Sequence, residues 1–312
     1  MSNLYRAGLR RMSKGKIFWV LLASMLALCL YCCFATKYEM ILYDNQYMLE
    51  DVFFLPLNFL TFLLPVSYSL FLSTEYHDGA LRNKLVVGHS RNGIYLSNFL
   101  LCATMGITLW FAAICFMCMI GIPLFGMWND TGLFIMGILT AFFMILAVTA
   151  LYTLICMLGS HRTVAVTCVL CAILGMYMAF QMYDALDEPE YYEYLVLDAQ
   201  ENDESMDMGA SENDESELEE NDAEFPVGVN LTENLGFHFE TTKNPGYLTG
   251  TKRQIFRLIY DILPWGQTAQ LNGGSGGDIG ETKMDLLIGY SCIWILAGNL
   301  LGMFFFRRKN IR

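Results

Sequence analysis

The chain has 312 residues, of which 55% are hydrophobic, and its mean hydropathy of +0.39 is too high for an ordinary soluble domain. The net charge of −12 arises in one segment, because residues 184–224 hold 18 acidic residues and no Lys or Arg, which leaves +6 for the remainder. The basic residues lie beside apolar stretches, and this distribution gives little support to a nucleic-acid-binding protein.

Six uncharged apolar stretches predict membrane-spanning helices. They lie at about residues 17–36, 52–74, 92–129, 131–160, 163–183 and 286–306. Each stretch reaches the roughly 20 residues that a helix needs to cross about 30 Å of hydrocarbon. Of the 19 basic residues, 13 flank the ends that an even number of crossings places on one side, so the positive-inside rule predicts cytoplasmic N- and C-termini.

These stretches predict an all-α integral membrane protein with three regions. Residues 1–183 contain a basic amphipathic segment (1–16) and five transmembrane helices. Residues 184–285 form a large extracellular loop between helices five and six, and residues 286–312 contain the sixth helix and a basic cytoplasmic tail. A cleaved signal peptide is the less favoured alternative for the first span, because no small-residue cleavage site follows it and five further spans do.

A polar segment at residues 75–91 separates the second and third spans. Leu81 and Leu85 share one helical face beside basic residues, which predicts a short amphipathic helix at the membrane surface. The charged positions also have a simpler explanation, because basic loops are common on the cytoplasmic side of membrane proteins.

The ten cysteines lie almost entirely within the spans, and three pairs have C-x-x-C spacing: Cys29 and Cys32, Cys115 and Cys118, Cys168 and Cys171. Such pairs are typical of metal or redox sites, but small polarizable residues also pack well between membrane helices. We favour packing, because the apolar spans contain no histidine or carboxylate beside these thiols. We therefore predict neither a metal site nor a catalytic residue.

The long loop divides into two parts. Its acidic part, residues 186–224, contains the repeat ENDES at 201–205 and 212–216 and is predicted to be disordered; a cation site is the less favoured alternative. The second part of the loop contains an apolar stripe that predicts an amphipathic helix at residues 252–263. A tryptophan suited to the membrane–water interface follows this helix. The residues are Ile255, Leu258, Ile259, Ile262 and Trp265. The helix would serve as a lid over the outer mouth of a pathway or as a fixed anchor.

The polar segment resembles the coupling-helix region of type 2 ATP-binding-cassette (ABC) exporter permeases, in which an acidic residue, then Gly-Thr/Ala-Leu, then a basic-apolar run follow the second membrane helix. Here Glu75, Gly79-Ala80-Leu81 and Arg82-Asn83-Lys84-Leu85 occupy those positions. Residues 244–267 also resemble a stretch that precedes the last span in permeases of this family from low-GC Gram-positive bacteria. The span order agrees with the family, whereas the acidic insert falls outside the resemblance.

The resemblance implies a permease subunit in the bacterial plasma membrane that exports a peptide, lipid-like or other amphipathic compound. It implies coupling to a cytoplasmic ABC ATPase through Glu75, Asp78, Gly79, Leu81, Arg82, Lys84 and Arg91. ATP and Mg would bind to that partner, because this chain has no P-loop motif and no cofactor of its own. A second permease subunit, identical or related, would complete the pathway within the lipid bilayer.

Two other functions remain open on the sequence alone. One is a membrane anchor or sensor whose extracellular loop binds a ligand, without transport. The other is an ion channel, which should show polar rings or a filter-like loop along its pore. Neither of these channel features is visible in the sequence.

Overall fold

The structure, a computed structural model, describes residues 2–44, 46–77, 79–159, 163–197, 237–273 and 283–309. In chain order the helices of the first part are α1 (Ser2–Lys14), α2 (Lys16–Tyr43), α3 (Leu49–Phe53), α4 (Leu55–His77), α5 (Ala80–Val86), α6 (Arg91–Phe125), α7 (Thr131–Leu158) and α8 (Val164–Asp187). A two-stranded sheet, β1 (Tyr191–Leu197) and β2 (Phe237–Lys243), then precedes α9 (Gly250–Ile262), α10 (Pro264–Leu271) and α11 (Met284–Arg308).

Six helical segments are long and apolar enough to cross a membrane, one for each of the six predicted apolar stretches. They are α2, the combined α3–α4 segment, α6, α7, α8 and α11. In the most apolar stretch of the α3–α4 and α7 segments just over half of the residues are buried inside the protein, against a third or fewer in the other four. The chain therefore has the helices of a membrane protein, and the α3–α4 and α7 segments are the most buried of them.

Small residues allow α11 to approach α6 and α7 closely. A Cβ atom at Gly298 would lie 3.2 Å from the Cβ of Ala150 on α7, and one at Gly302 would clash with the Tyr95 hydroxyl of α6. The Tyr95 hydroxyl also donates to the Gly298 carbonyl at 3.4 Å. Small side chains at such interfaces let helix backbones make dispersion contacts that larger side chains would prevent.

Two ends of the bundle can be named by their short helices. The α5 end contains α5, the beginning of α6 and the ends of α4, α7 and α11. The α9 end contains α9, the end of α8 and the beginning of α11.

The segment α9–α10 turns sharply and places its second helix inside the bundle. The turn is at Leu263–Pro264, and the close approach of the chain there requires Gly266, where a Cβ would clash with the Tyr260 carbonyl. The Trp265 ring packs against Gly175 and lies 6.4 Å from the Tyr152 ring. Gly175 is about 18 Å from the α8 end at Asp187, so Trp265 reaches the middle of that helix.

The Trp265 side chain, which the sequence predicted at the membrane–water interface, is only 9% exposed within the protein. Pro264 begins a second helix, α10, whose first turn is buried, so the indole packs among residues of α7 and α8.

A second compact unit covers residues Glu188–Tyr247. Its two strands are antiparallel, with Tyr191 opposite Lys243 and Leu197 opposite Phe237. The Asn244 amide closes one end of this ribbon by donating to Glu188 Oε2 at 2.7 Å and to the Pro189 carbonyl at 3.0 Å. Of the segment predicted to be disordered, 186–224, the structure describes residues 186–197, which contain the end of α8 and the strand β1; the rest lies outside the described residues.

Candidate functional site

The carboxylate at the end of α4 is buried. Glu75, which the resemblance assigns to coupling with an ATPase, is 1% exposed and therefore does not lie on the surface of the polar segment. A buried carboxylate is stable only when cations or hydrogen-bond donors compensate for its lost hydration.

Two cations from different helices contact Glu75. Lys84 Nζ on α5 lies 3.0 Å from both Oε1 and Oε2, and Arg11 Nη2 on α1 lies 3.1 Å from Oε1. The Arg11 guanidinium also lies 4.8 Å from the centroid of the Phe71 ring. We call Arg11, Glu75 and Lys84 the Glu75 cluster; it connects α1, α4 and α5.

The predicted short helix in the polar segment is confirmed as α5. Gly79, with a φ of +65°, directly precedes the helix, and Gly88, with a φ of +89°, follows its C-terminal end; glycine adopts both left-handed conformations without strain. Leu81 is buried, whereas Arg82, Val86 and Val87 are exposed. Asp78, also predicted to contribute to this site, lies outside the described residues.

The helix α1, which corresponds to the predicted basic amphipathic segment, packs on the bundle. Leu4 and Met12 are buried, and Gly8 faces the Leu101 side chain of α6 so closely that a Cβ there would clash. Five basic residues lie near the N-terminus, and no pattern in the sequence distinguished Arg11 as the one that contacts Glu75. Arg11 lies on the same helical face as Leu4 and Gly8, and the packing of α1 on α6 shows that this face is turned toward the bundle.

Arg91 takes part in a different arrangement from the one predicted. It does not extend the face of α5; instead its Nη1 donates to the main-chain carbonyls of Phe306 and Arg307 at 3.4 and 3.0 Å, and also to that of Lys309. Lys309 Nζ in turn donates to the Met157 and Gly159 carbonyls at the end of α7. Cations at helix C-termini satisfy the last carbonyls and complement the helix dipole. Arg91 and Lys309 therefore join the ends of α11 and α7.

We expect Arg91→Ala to lower the free energy of unfolding by about 1–3 kcal/mol, because it leaves carbonyls at the end of α11 without a charged donor. Chemical denaturation of the detergent-solubilised protein measures this loss. Arg82→Ala is the matched control, since Arg82 is exposed and its replacement should change stability by no more than about 0.5 kcal/mol. Equal stability of the two variants would contradict the capping role.

The predicted apolar stripe of α9 points away from the protein. Ile255, Leu258 and Ile259 are 49%, 46% and 37% exposed, and Ile262 is partly exposed. The face that packs on the bundle contains Tyr260, which is buried, and Phe256, which is partly buried against the core. The predicted helix is confirmed. Its apolar surface is wider than the predicted stripe, because it also includes Phe256 and Tyr260, and the bundle covers only this second part.

A polar network holds α9, α10 and α11 together and was not predicted. Gln267 Nε2 donates to the Asp261 carbonyl at 2.9 Å, and Ser291 Oγ donates to Gln267 Oε1 at 2.8 Å. Gln270 Nε2 donates to Asp261 Oδ1 at 2.9 Å, and Trp294 Nε1 to the Ile262 carbonyl at 2.8 Å. Gln267 and Ser291 are fully buried. Isolated polar residues in a loop and in a span gave no sign in the sequence that they would meet.

Asp261 should make stability depend on pH. Desolvation raises the pKa of this carboxyl above its ordinary 3.8, against the hydrogen bond from Gln270 and the charges of Arg257 and Lys283, which lower the pKa. The ionised form is therefore disfavoured in the fold, and the stability associated with this group is lost as pH rises through the folded-state pKa. We expect Asp261→Asn to raise the melting temperature at pH 7 and to have little effect at or below about pH 3.8.

Thermal unfolding across this pH range tests the effect, with Asp184→Asn on the exposed surface of α8 as the control. If Asp261→Asn lowers the melting temperature at pH 7, the charged form of Asp261 stabilises the contact between α9 and α10.

The cysteines make contacts that the C-x-x-C spacing did not predict. Cys156 Sγ on α7 lies 3.5 Å from Cys168 Sγ on α8, and Cys33 Sγ lies 3.7 Å from Met117 Sδ. All ten are free thiols. Among the described residues, no group of three or more His, Cys, Asp or Glu side chains has an arrangement that could hold a metal ion.

By their length and composition, the six long apolar helices place the chain among helical membrane proteins. Comparison with known proteins adds no family to this class: no family model, no curated protein and no solved structure matches the chain.

Proposed function

We propose that this chain is the membrane-spanning permease subunit of a type 2 ABC exporter. The observation that carries the proposal is the construction of α5. This helix joins two spans, is tied inward through Leu81 and the Lys84–Glu75 ion pair, and exposes Arg82, Val86 and Val87 outward. A rigidly attached helix with an exposed apolar and basic surface is suited to receive a force from a partner.

The Glu75 cluster would distribute that force. A displacement of α5 acts on Lys84, and Glu75 passes it to α4 and, through Arg11, to α1. Because α4 belongs to one of the two most buried segments, movement of its end changes packing along the whole protein. The ion pairs are stronger in this buried setting than in water, so they remain closed during small movements.

In this proposal the partner is a cytoplasmic ABC ATPase that binds ATP and Mg, and the α5 end faces the cytoplasm with both termini. The excess of basic residues at this end supports that orientation. A second permease subunit would form the pathway with this one in the bacterial plasma membrane. The central parts of the spans carry no charged residues, which favours an amphipathic peptide or lipid-like cargo over a small ion.

Co-purification with a candidate ATPase and reconstitution into vesicles test the proposal. We expect Val86→Asp with Val87→Asp to abolish ATPase binding without unfolding the permease, because both side chains are more than 70% exposed. Met127→Asp, also exposed but at the end of α6 away from α5, is the matched control. Undiminished ATPase binding by the double variant would reject α5 as the contact.

A membrane anchor or sensor remains the second candidate, and the β1–β2 ribbon favours it. A folded unit in the long loop could bind an extracellular ligand, and its tyrosines at 191 and 194 are exposed. The two candidates differ in one result: an exporter subunit stimulates ATP hydrolysis by its partner and transports a cargo in vesicles, whereas a sensor does neither.

A further inference from the structure

The helix α9 presents a fixed aliphatic surface to its surroundings. Ile255, Leu258 and Ile259 follow the i, i+3, i+4 spacing that places side chains on one helical face. The neighbouring face, with Phe256 and Tyr260, packs on the protein. The exposed stripe (Ile255, Leu258 and Ile259) is therefore held in one orientation by the buried face beside it.

Hydrogen bonds hold α9 against two candidate spans. Arg253 Nη2 donates to the Leu186 carbonyl in the last turn of α8 at 2.9 Å. At the other end of α9, Trp294 of α11 donates to the Ile262 carbonyl. Both of these long helices expose large apolar residues, such as Tyr177 and Phe180 on α8 and Ile293 on α11. The exposed stripe thus lies next to surfaces that already suit contact with lipid.

The charges of α9 also fit the edge of a bilayer. Lys252 and Arg257 are exposed, whereas the one acidic residue of the helix, Asp261, accepts a hydrogen bond from Gln270. A helix with aliphatic residues on one side and exposed cations beyond them places the former among acyl chains and the latter near phosphate groups.

We propose that α9 lies in the boundary between the acyl chains and the headgroups of the bilayer. Ile255, Leu258 and Ile259 contact acyl chains, and Lys252 and Arg257 contact the phosphates of anionic lipids. This contact fixes the orientation of α9. It therefore also helps to hold α10, which follows α9 directly and carries the buried Trp265. This inference depends on the six spans crossing a membrane and is independent of the transport function.

Nitroxide labels on the intact protein in lipid vesicles test this placement. A keto-bearing amino acid at Ile255 or at Gln254, labelled through its ketone, avoids the ten native cysteines. Gln254 is the matched control, because it is exposed and lies about 100° around the helix from Ile255, toward the polar residues. We expect the label at position 255 to show a severalfold higher ratio of oxygen to nickel-complex accessibility than the label at position 254.

Each other outcome overturns the proposal. High nickel accessibility at both positions would place α9 in water, and protection of position 255 from both reagents would indicate a protein contact, such as a second copy of this chain. A second comparison tests the cations: phosphatidylglycerol added to phosphatidylcholine vesicles should increase the depth of the 255 label. Lys252→Gln with Arg257→Gln should remove that increase, and an increase that persists in this variant would refute the phosphate contacts.

Discussion

Replacement of Glu75 by alanine is expected to lower the free energy of unfolding by about 3 kcal/mol while the chain still inserts into the membrane. The variant leaves Lys84 and Arg11 beside an apolar side chain, with the Lys84 side chain only 17% exposed. Arg11 is 37% exposed and can recover some hydration, which keeps the loss at the lower end of values for buried ion pairs. Insertion should persist because no apolar span changes.

Loss of the same carboxylate should also uncouple ATP hydrolysis by the proposed partner from transport. Arg82→Ala separates this effect from stability: Arg82 is exposed, so its variant should keep its full stability and still lose coupling. Denaturation of the purified variants and transport in vesicles give the two readouts. Full transport by both variants would reject the coupling role of this segment.

The variants Arg11→Gln and Lys84→Gln, made singly and together, measure how much each cation contributes to stability through its ion pair with Glu75. Each single variant leaves Glu75 with one cation, whereas the double variant leaves a buried carboxylate with neither. The double variant should therefore lose more stability than the sum of the single losses. Additive losses would mean that the two cations act on Glu75 independently.

Trp265→Ala is the second replacement with a large expected effect, a loss of about 3–5 kcal/mol in the free energy of unfolding. The indole ring fills the space beside Gly175 and Tyr152 near the middle of α8, and its removal leaves a cavity that rigid helices cannot close. The loss should appear as a lower denaturation midpoint and faster proteolysis near α10.

Trp19→Ala is the matched control for this cavity. Trp19 is 58% exposed on α2, so the same change of residue type removes little buried surface there. Similar losses for Trp19→Ala and Trp265→Ala would show that the cost does not come from a cavity in the bundle.

The sequence by itself determined the elements with strong local signals. Six long apolar stretches could only be accommodated as buried or lipid-facing helices, because a helix satisfies its own backbone hydrogen bonds in an apolar surrounding. The short helix α5 was equally evident from Gly79 and from the spacing of Leu81 and Leu85. Helix α9 followed from its apolar periodicity.

Only the tertiary structure decided which faces these helices bury and which distant side chains meet. Glu75 looked like a surface residue because its neighbours in sequence are polar, but α1 and α5 enclose it with cations from positions far apart in the chain. Trp265 looked interfacial because local sequence does not encode the direction in which a chain turns after a proline. The strand β1 was hidden in an acidic segment, because its stability depends on pairing with β2 some 40 residues later. Periodicity is a local property, whereas burial depends on contacts between residues that the sequence keeps apart.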